Sequence, residues 1–297
     1  MTATEVMPAR INQPPFVNNL LVNPGFEVWQ RGAGPFGNLV YGPDEWYVRQ
    51  NLSAVISLTR SSSPLYGTYC ATWTQTGTPG DTFIQVGLET AHSLEDQWLT
   101  FSLWVKSSIV NGIYLRIGDE TTAAGVEYAN SPRNQTTDWE QLTVTKKVRT
   151  GLAAAGSWNR TAPVGLVVVG TGNGSVFSVD GAVLAAGYFP EGVPYVPLHP
   201  AEDLERCLRF YHILDGIYDS PVWSGIATNA ATYDRSHQFP STMAAIPTVT
   251  FLQGGQSGFP TGTPLYYPGK HGVWSRKTAN AGVNNGYHYS RYSAEVT

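Results

Sequence analysis

Three close carboxylate pairs, Asp44/Glu45, Asp119/Glu120 and Asp138/Glu140, and a stock of nine tryptophans and sixteen tyrosines are the residues of this chain with most chemistry to offer. Two carboxyl groups facing each other about 5 to 10 Å apart across a cleft can cleave a glycosidic bond. The three pairs fall on turns and strand ends scattered along the chain, and their spacing selects no couple. Flat aromatic rings do gentler work: a ring face stacks on the apolar face of a sugar while amides and carboxylates hold its hydroxyls. Trp46, Tyr47, Trp73, Tyr114, Tyr128 and Trp158 are candidates for such a platform, whereas Trp29, Trp98 and Trp139 are expected in the core.

Other site chemistries find less support. Ser175, in Gly172-Asn173-Gly174-Ser175, has no glycine two residues to either side and precedes a strand, so a nucleophile elbow is excluded and a hairpin turn is expected. The six histidines, His92, His199, His212, His237, His271 and His288, show no zinc-binding spacing. No glycine-rich loop leads from a strand into a helix, which leaves a phosphate cradle unsupported. The formal net charge is −4 and no basic cluster is longer than Lys146-Lys147, so nucleic acid is not an expected partner. A signal peptide and a membrane span are likewise not expected, since nowhere do about 18 apolar residues run together. Cys70 and Cys207 read as small buried hydrophobes rather than a disulfide.

The elements that would position these residues are strands. Only 13% of residues are charged while Gly, Thr, Ser, Asn, Trp and Tyr abound, which suits short strands and polar turns. From Asn18 to Gly187 apolar and polar residues alternate between Gly/Pro/Asn/Asp turns, as in Tyr69–Thr74, Trp98–Lys106, Ile113–Ile117, Trp139–Val148, Val164–Val169 and Val176–Leu184. An antiparallel sandwich of roughly eight strands follows. Pro190, Pro194, Pro197 and Pro200 then forbid a ladder, and residues 188–200 read as a stiff linker. Beyond it, Glu202 and Asp203 suit a helix start, with Leu204, Cys207, Leu208 and Tyr211 on one face, opening a C-terminal β domain over 201–297. Residues 1–17, with three prolines and no periodicity, read as an arm that orders only against a partner.

In order along the chain, Asn19–Glu27, Gln85, Trp98–Lys106, Asp138-Trp139 and Val179-Asp180-Gly181 carry a resemblance to jelly-roll carbohydrate-binding modules of the calcium-containing type. The continuation Val28-Trp29-Gln30-Arg31-Gly32, followed by Asp44-Glu45-Trp46 with Glu where an Arg is usual, resembles a variant found in bacteriophage virion proteins. Glu202–Tyr211, Phe239–Thr250 and the closing Ala294-Glu295 are similar to the helix and strands that follow such sandwiches in phage tail-fibre proteins.

The resemblance implies an all-β protein, a jelly roll over 18–187 and a smaller C-terminal β domain with one short helix. It also implies a non-enzymatic virion component, a fibre, spike or decoration protein assembled in the host cytoplasm among other virion proteins and contacting a host-surface glycan. A glycan-processing enzyme or its accessory module, and a purely architectural head or tail protein, remain alternatives. In the resembled modules a structural Ca²⁺ is held at positions matching Glu27 and Asp180. Hard oxygen ligands suit that ion, and first and last sandwich strands lying side by side would bring the two acids together. The alternative is that Glu27 accepts backbone hydrogen bonds and Asp180 caps a turn. Self-association, as a homotrimer, is expected from the arm and from the low-charge aromatic segment Tyr266-Tyr267, Trp274, Tyr287, Tyr289 and Tyr292.

Overall fold

A computed structural model describes residues 18–297 apart from 52, 78–79, 159–160, 216–222, 228–231, 258–264, 279–282 and 296–297. The arm over 1–17 lies outside the described residues. The chain is all-β. Eleven strands build a sandwich: β1 (Val40–Tyr41), β2 (Tyr47–Gln50), β3 (Ala54–Ser61), β4 (Cys70–Gly77), β5 (Asp81–Gly87), β6 (Trp98–Ser107), β7 (Ile113–Thr121), β8 (Gly125–Asn130), β9 (Glu140–Lys147), β10 (Val164–Thr171) and β11 (Val176–Ala186). One sheet has the order β1-β2-β5-β10-β7-β8 and the other β3-β4-β11-β6-β9, with every pairing antiparallel. This interleaving of strands between two sheets is that of a jelly roll.

Period-two alternation sets the core. Ala54, Ile56 and Leu58 of β3, Leu99, Phe101, Leu103 and Val105 of β6, and Ile113, Leu115 and Ile117 of β7 point inward and are almost fully buried. At the free ends of the two sheets Asp119 binds Arg149 and Lys146, and Lys146 also reaches Glu127 at 2.7 Å. This network ties β7 and β8 to β9 across the open edge.

Two connections depart from expectation. Gly172–Ser175 does not close a hairpin: β10 and β11 lie in different sheets, so this tight turn carries the chain across the sandwich. The first part of the expected stiff linker, residues 188–195, is packed down on the sandwich. Val193 is buried with Val183 and Ala185 of β11, packed by Phe189 and Tyr195. The Phe189 and Val193 amides donate to Thr100 Oγ1 and Ser102 Oγ, both 3.0 Å, and Gln141 Nε2 donates to the Val193 carbonyl at 2.9 Å. The proline-spaced segment is a strap across the outer face of the five-stranded sheet.

After the strap comes α1 (Pro200–Leu208), then β12 (Tyr211–Asp215), β13 (Trp223–Ala227), β14 (Thr232–Gln238), β15 (Thr248–Ser257), β16 (Leu265–Gly269), β17 (Gly272–Thr278) and β18 (Val283–Glu295). Strand β18 has β15 along one side and β12 and β13 along the other, while β14-β17-β16 form a separate sheet. Of the expected stripe Cys207 and Tyr211 are buried and Leu208 is half-buried, whereas Leu204 is exposed and Asp203 is buried in its stead. The helix docks on backbone: the Asn23 amide donates to Asp203 at 3.0 Å, and Arg206 donates to the carbonyls of Asn19 and Leu21 at 3.5 and 3.4 Å. Both cysteines are free and buried. No helix among the described residues is long and apolar enough to cross a membrane.

Candidate functional site

The outer face of the six-stranded sheet carries most of the candidate aromatic side chains, around a centre where Val167 and Val169 are buried with Tyr114, Trp158 and Ala162. Because Val48, Ile84, Val86, Leu166, Val168, Leu115 and Ile117 turn inward, their strand neighbours turn outward and align in rows through the antiparallel registers. One row runs Tyr47, Gln85, Val167, Arg116, Asn130; the next runs Arg49, Phe83, Val169, Tyr114. A third runs Gly87, Gly165, Gly118, Tyr128. Its glycines have a purpose: the indole of Trp158, reaching over from the β9–β10 connection, lies against Gly165 and Gly118, and a Cβ at either position would overlap the ring. The loop that carries Trp158 is pinned where the Ser157 amide donates to Glu120 at 2.7 Å. Trp158 meets the Tyr128 ring edge-on at 5.7 Å.

Between this loop and the segment before β2 lies a cleft of about 750 Å³. Tyr47, Arg49 and Gln85 form its floor, Trp158 one wall, Phe36, Leu39, Val40 and Tyr41 the other, and Arg31 with Glu295 its end. An apolar wall with a few convergent polar groups is the usual character of a ligand site.

Four of the six aromatic candidates, Tyr47, Tyr114, Tyr128 and Trp158, therefore sit on this one face, with Tyr47 and Trp158 lining the cleft itself. Trp46 and Trp73 do not belong there. Both are fully buried: Trp46 packs on Phe26 at 4.8 Å and donates to the Asn23 carbonyl, and Trp73 packs on Phe177 at 5.2 Å and donates to Thr82 Oγ1. Trp46 and Tyr47 are adjacent, so the pleat sends them to opposite sides. Tyr114 is only 7% exposed, its ring flanked by Arg116 and Arg133 and its hydroxyl accepting from Arg116 at 2.9 Å; burial pushes its phenol up. Of the tryptophans expected in the core, Trp29 is buried, Trp139 is half-buried, and Trp98 is 41% exposed against Tyr188. Sequence reasoning passed over Arg49, Arg116 and Arg133; for Arg49 and Arg116 the signal was their alternation with the inward Val48, Leu115 and Ile117, while Arg133, in the connection after β8, gave none.

The Glu27/Asp180 pair lies elsewhere, at a change of partner along β11. Up to Val179 that strand pairs with β4; from Ala182 the opening segment takes β4's place, with the Ala182 amide donating to the Pro24 carbonyl at 2.8 Å and the Leu20 amide donating to the Leu184 carbonyl at 3.0 Å. The irregularity between Asp180 and Val183 turns the Asp180 carboxylate toward the loop 65–69. Its Oδ2 accepts from the Leu65 and Tyr66 amides at 2.8 and 2.7 Å, and Glu27 Oε1 accepts from those of Thr68 and Tyr69 at 2.6 and 3.1 Å. Gly67 completes the loop in the left-handed region, φ +62°, where a Cβ would strike the Glu27 carboxylate. Both acids thus accept backbone hydrogen bonds.

Those bonds leave a remainder. Asp180 Oδ1 is buried with no partner, and the carboxyl is pushed up to about 6 by burial, with the Glu27 charge adding to the rise against the amides. Two negative groups meeting at one loop with a spare buried oxygen fit a hard divalent cation. Glu27 and Asp180 would supply its carboxylate ligands. Among the described residues there is no cluster of three or more acidic, histidine or cysteine side chains, so the rest of the shell would fall to backbone carbonyls and water.

The third charged centre joins the sandwich to the C-terminal strands. Arg31 reaches Asp44 at 3.2 Å and Glu295 of β18 at 2.8 Å, with its guanidinium 3.7 Å from the Tyr211 ring centroid. Gln30 Nε2 donates to Asp44 Oδ2 and to the Tyr211 carbonyl at 2.5 and 3.0 Å. Asp44 is fully buried, and burial pushes its carboxyl up to about 6 against the pull of Arg31. Gln30-Arg31 and Asp44 form the socket that receives β12 and β18.

A two-sheet jelly-roll sandwich with an open aromatic cleft on one sheet and a strap over the other is thus the class of domain that residues 18–195 define. No family model and no curated protein matches the sequence. Among solved structures, the carbohydrate-binding module TmCBM61 in complex with β-1,4-galactotriose is 15% identical, over 57% of this chain and 99% of its own, with a TM-score of 0.36. The CBM22-1 xylan-binding domain of Paenibacillus barcinonensis Xyn10C is 11% identical over 58% and 97%, with a TM-score of 0.38. The enzymatically active domain of bacteriophage CBA120 tailspike protein 4 is 12% identical over 57% of this chain and 21% of its own, with a TM-score of 0.36. All three scores lie below 0.5, and the fold assignment rests on the strand order and registers of the sandwich itself.

Proposed function

We propose that this chain is a non-catalytic glycan-binding protein whose ligand lies in the cleft over the six-stranded sheet, and that it serves as a fibre, spike or decoration component of a bacteriophage virion. The observation that carries the binding reading is the cleft itself: Tyr47 and Trp158 offer apolar surface on either side of Gln85, a polar group at the floor. Among the described residues the cleft is lined by one acid, Glu295, held by Arg31, and not by the facing pair of carboxylates that most glycosidases use.

The virion reading is supported by the order-preserving motifs, whose Gln30, Arg31, Asp44 and Glu295 share one physical task, docking the C-terminal strands. A Ca²⁺ held by Glu27 and Asp180, and self-association as a trimer, complete the proposal. The side chains of Tyr266, Trp274, Tyr287, Tyr289 and Tyr292, offered above for that contact, lie outside the described residues.

Affinity electrophoresis of the full chain through polysaccharide gels, paired with a reducing-sugar assay, tests the binding reading. Retardation that Tyr47→Ala abolishes, with no sugar released, is expected; sugar release, or retardation indifferent to Tyr47→Ala, overturns it. Antibody labelling of purified phage particles tests the virion reading, and light scattering the stoichiometry.

A further inference from the structure

The face proposed to bind glycan carries more positive charge than its packing uses. Arg49 projects from β2 beside Tyr47 and is exposed, and among the described residues its guanidinium meets no carboxylate and no hydrogen-bond acceptor. Arg116 is held over the Tyr128 ring at 4.4 Å, and its donors go only to neutral groups, Asn130 Oδ1 and Tyr114 Oη, both at 2.9 Å. Arg133 lies over Tyr114 at 4.6 Å and donates to the Asn111 carbonyl and Thr171 Oγ1. Stacking fixes a guanidinium in place without neutralising it.

The acids of the same face are few and mostly engaged. Glu295 pairs with Arg31, Glu120 accepts from the Ser157 amide, and Asp81 stands at the start of β5 on the side of Tyr114. The chain as a whole has 22 acidic residues to 18 basic ones, so unpaired cations concentrated on one sheet are not a product of composition. Their placement has a scale. Arg49 on β2 and Arg116 on β7 lie three inter-strand steps of about 4.8 Å apart across β5 and β10 and one row, about 6.8 Å, apart along the strands, hence about 16 Å, with the buried Val167 and Val169 between them. One sugar ring does not bridge that distance.

Resting on the reading of this face as a glycan site, we propose that its ligand is an acidic polysaccharide, one of whose sugar carboxylates is taken by Arg49 in the cleft and another by Arg116 beyond the buried Val167 and Val169. A planar guanidinium matches a carboxylate with two parallel hydrogen bonds, and each charge-assisted contact raises affinity roughly tenfold or more.

The test titrates the full chain with polygalacturonate and alginate, with methyl-esterified polygalacturonate, with neutral xylan and dextran, and with single-stranded DNA. Polyuronate binding that weakens at high salt, falls at least tenfold on methyl esterification and falls about tenfold in both Arg49→Ala and Arg116→Gln is expected, each variant keeping the parent melting temperature. Arg49→Lys, which keeps charge but not the planar fork, should recover only part of the loss. Neutral polymers bound as tightly as polyuronates, with Tyr47→Ala abolishing both and Arg49→Ala neither, would overturn the acidic ligand and leave the glycan reading standing. DNA bound as tightly as polyuronate would overturn the choice of ligand class, and no binding to any polysaccharide would overturn the glycan reading itself.

Discussion

Replacing Arg31 by methionine keeps most of the aliphatic stem and removes the charge that Asp44 and Glu295 share. In the parent, Asp44 is buried and the Arg31 guanidinium is its nearest cation, with side-chain exposures of 1% and 12%. Breaking a buried pair by deleting one partner costs about 3–5 kcal/mol when the stranded charge cannot be neutralised. Here it can be, because the Asp44 carboxyl already titrates at about 6 rather than 3.8. A folded-state value raised above the unfolded one means that the native state holds its proton more tightly, so Asp44 favours folding as pH falls from about 6 toward 4 and opposes it above. In Arg31→Met the folded value climbs further. At pH 8 the variant must bury an unpaired carboxylate or take up a proton against the pH, and the deficit should be about 3–5 kcal/mol. At pH 5 Asp44 is protonated in both proteins, the Arg31–Asp44 pair is absent from both, and the deficit should shrink to about 1–2 kcal/mol, what remains being the Arg31–Glu295 pair and the stack on Tyr211. Guanidinium chloride unfolding of both proteins at the two pH values measures the difference. Asp44→Asn added to Arg31→Met should restore stability at pH 8 but do little at pH 5. Equal deficits at both pH values, or no rescue by the added Asp44→Asn, would show that packing rather than charge holds the socket.

Three further outcomes follow from particular contacts. Starting from Ca²⁺-loaded protein, chelation should lower the melting temperature and Asp180→Ala should abolish that response; ligand at 100 times its Kd adds about 2.7 kcal/mol, so superimposable melts with and without chelator exclude the ion. Gly165→Val should push the Trp158 indole off the sheet, shifting tryptophan emission to the red and weakening polysaccharide retardation, and an unchanged emission spectrum would contradict the described ring placement. Limited proteolysis of the full chain should spare residues 188–195 until global unfolding, because Val193 is buried and the Phe189 and Val193 amides are bonded; early cleavage there would show that the segment is not packed on the sheet.

Alternation made the sandwich readable. Phe101, Leu103 and Val105 against Ser102, Trp104 and Lys106 give both the strand and its inward face, and the same reasoning holds for Ile113–Ile117. What alternation cannot state is which sheet a strand joins, and so Gly172–Ser175 looked like a hairpin turn when it is a crossing between sheets. The prolines of 188–200 correctly exclude a ladder, yet nothing local to them says that Val193 finds a pocket on a face 91 residues back in sequence at Ser102. For the site, aromatic type alone could not separate Trp46 and Trp73, which the pleat turns inward, from Tyr47, which it turns out. The role of Gly118 and Gly165 was also hidden, because a flat ring settles on two bare backbones only once β7 and β10 are known to be neighbours.

The presence of Glu295 at the end of the cleft has a consequence for how force and occupancy communicate. That residue belongs to the last strand, and it is held there by the same guanidinium that plugs the socket. Any ligand that gains free energy from Arg31 or Glu295 in the docked arrangement must, by reciprocity, tighten the docking by the same amount. Withdrawing Glu295 with its strand would take one group out of the cleft lining, so load on the C-terminal strands and occupancy of the cleft are coupled through Arg31.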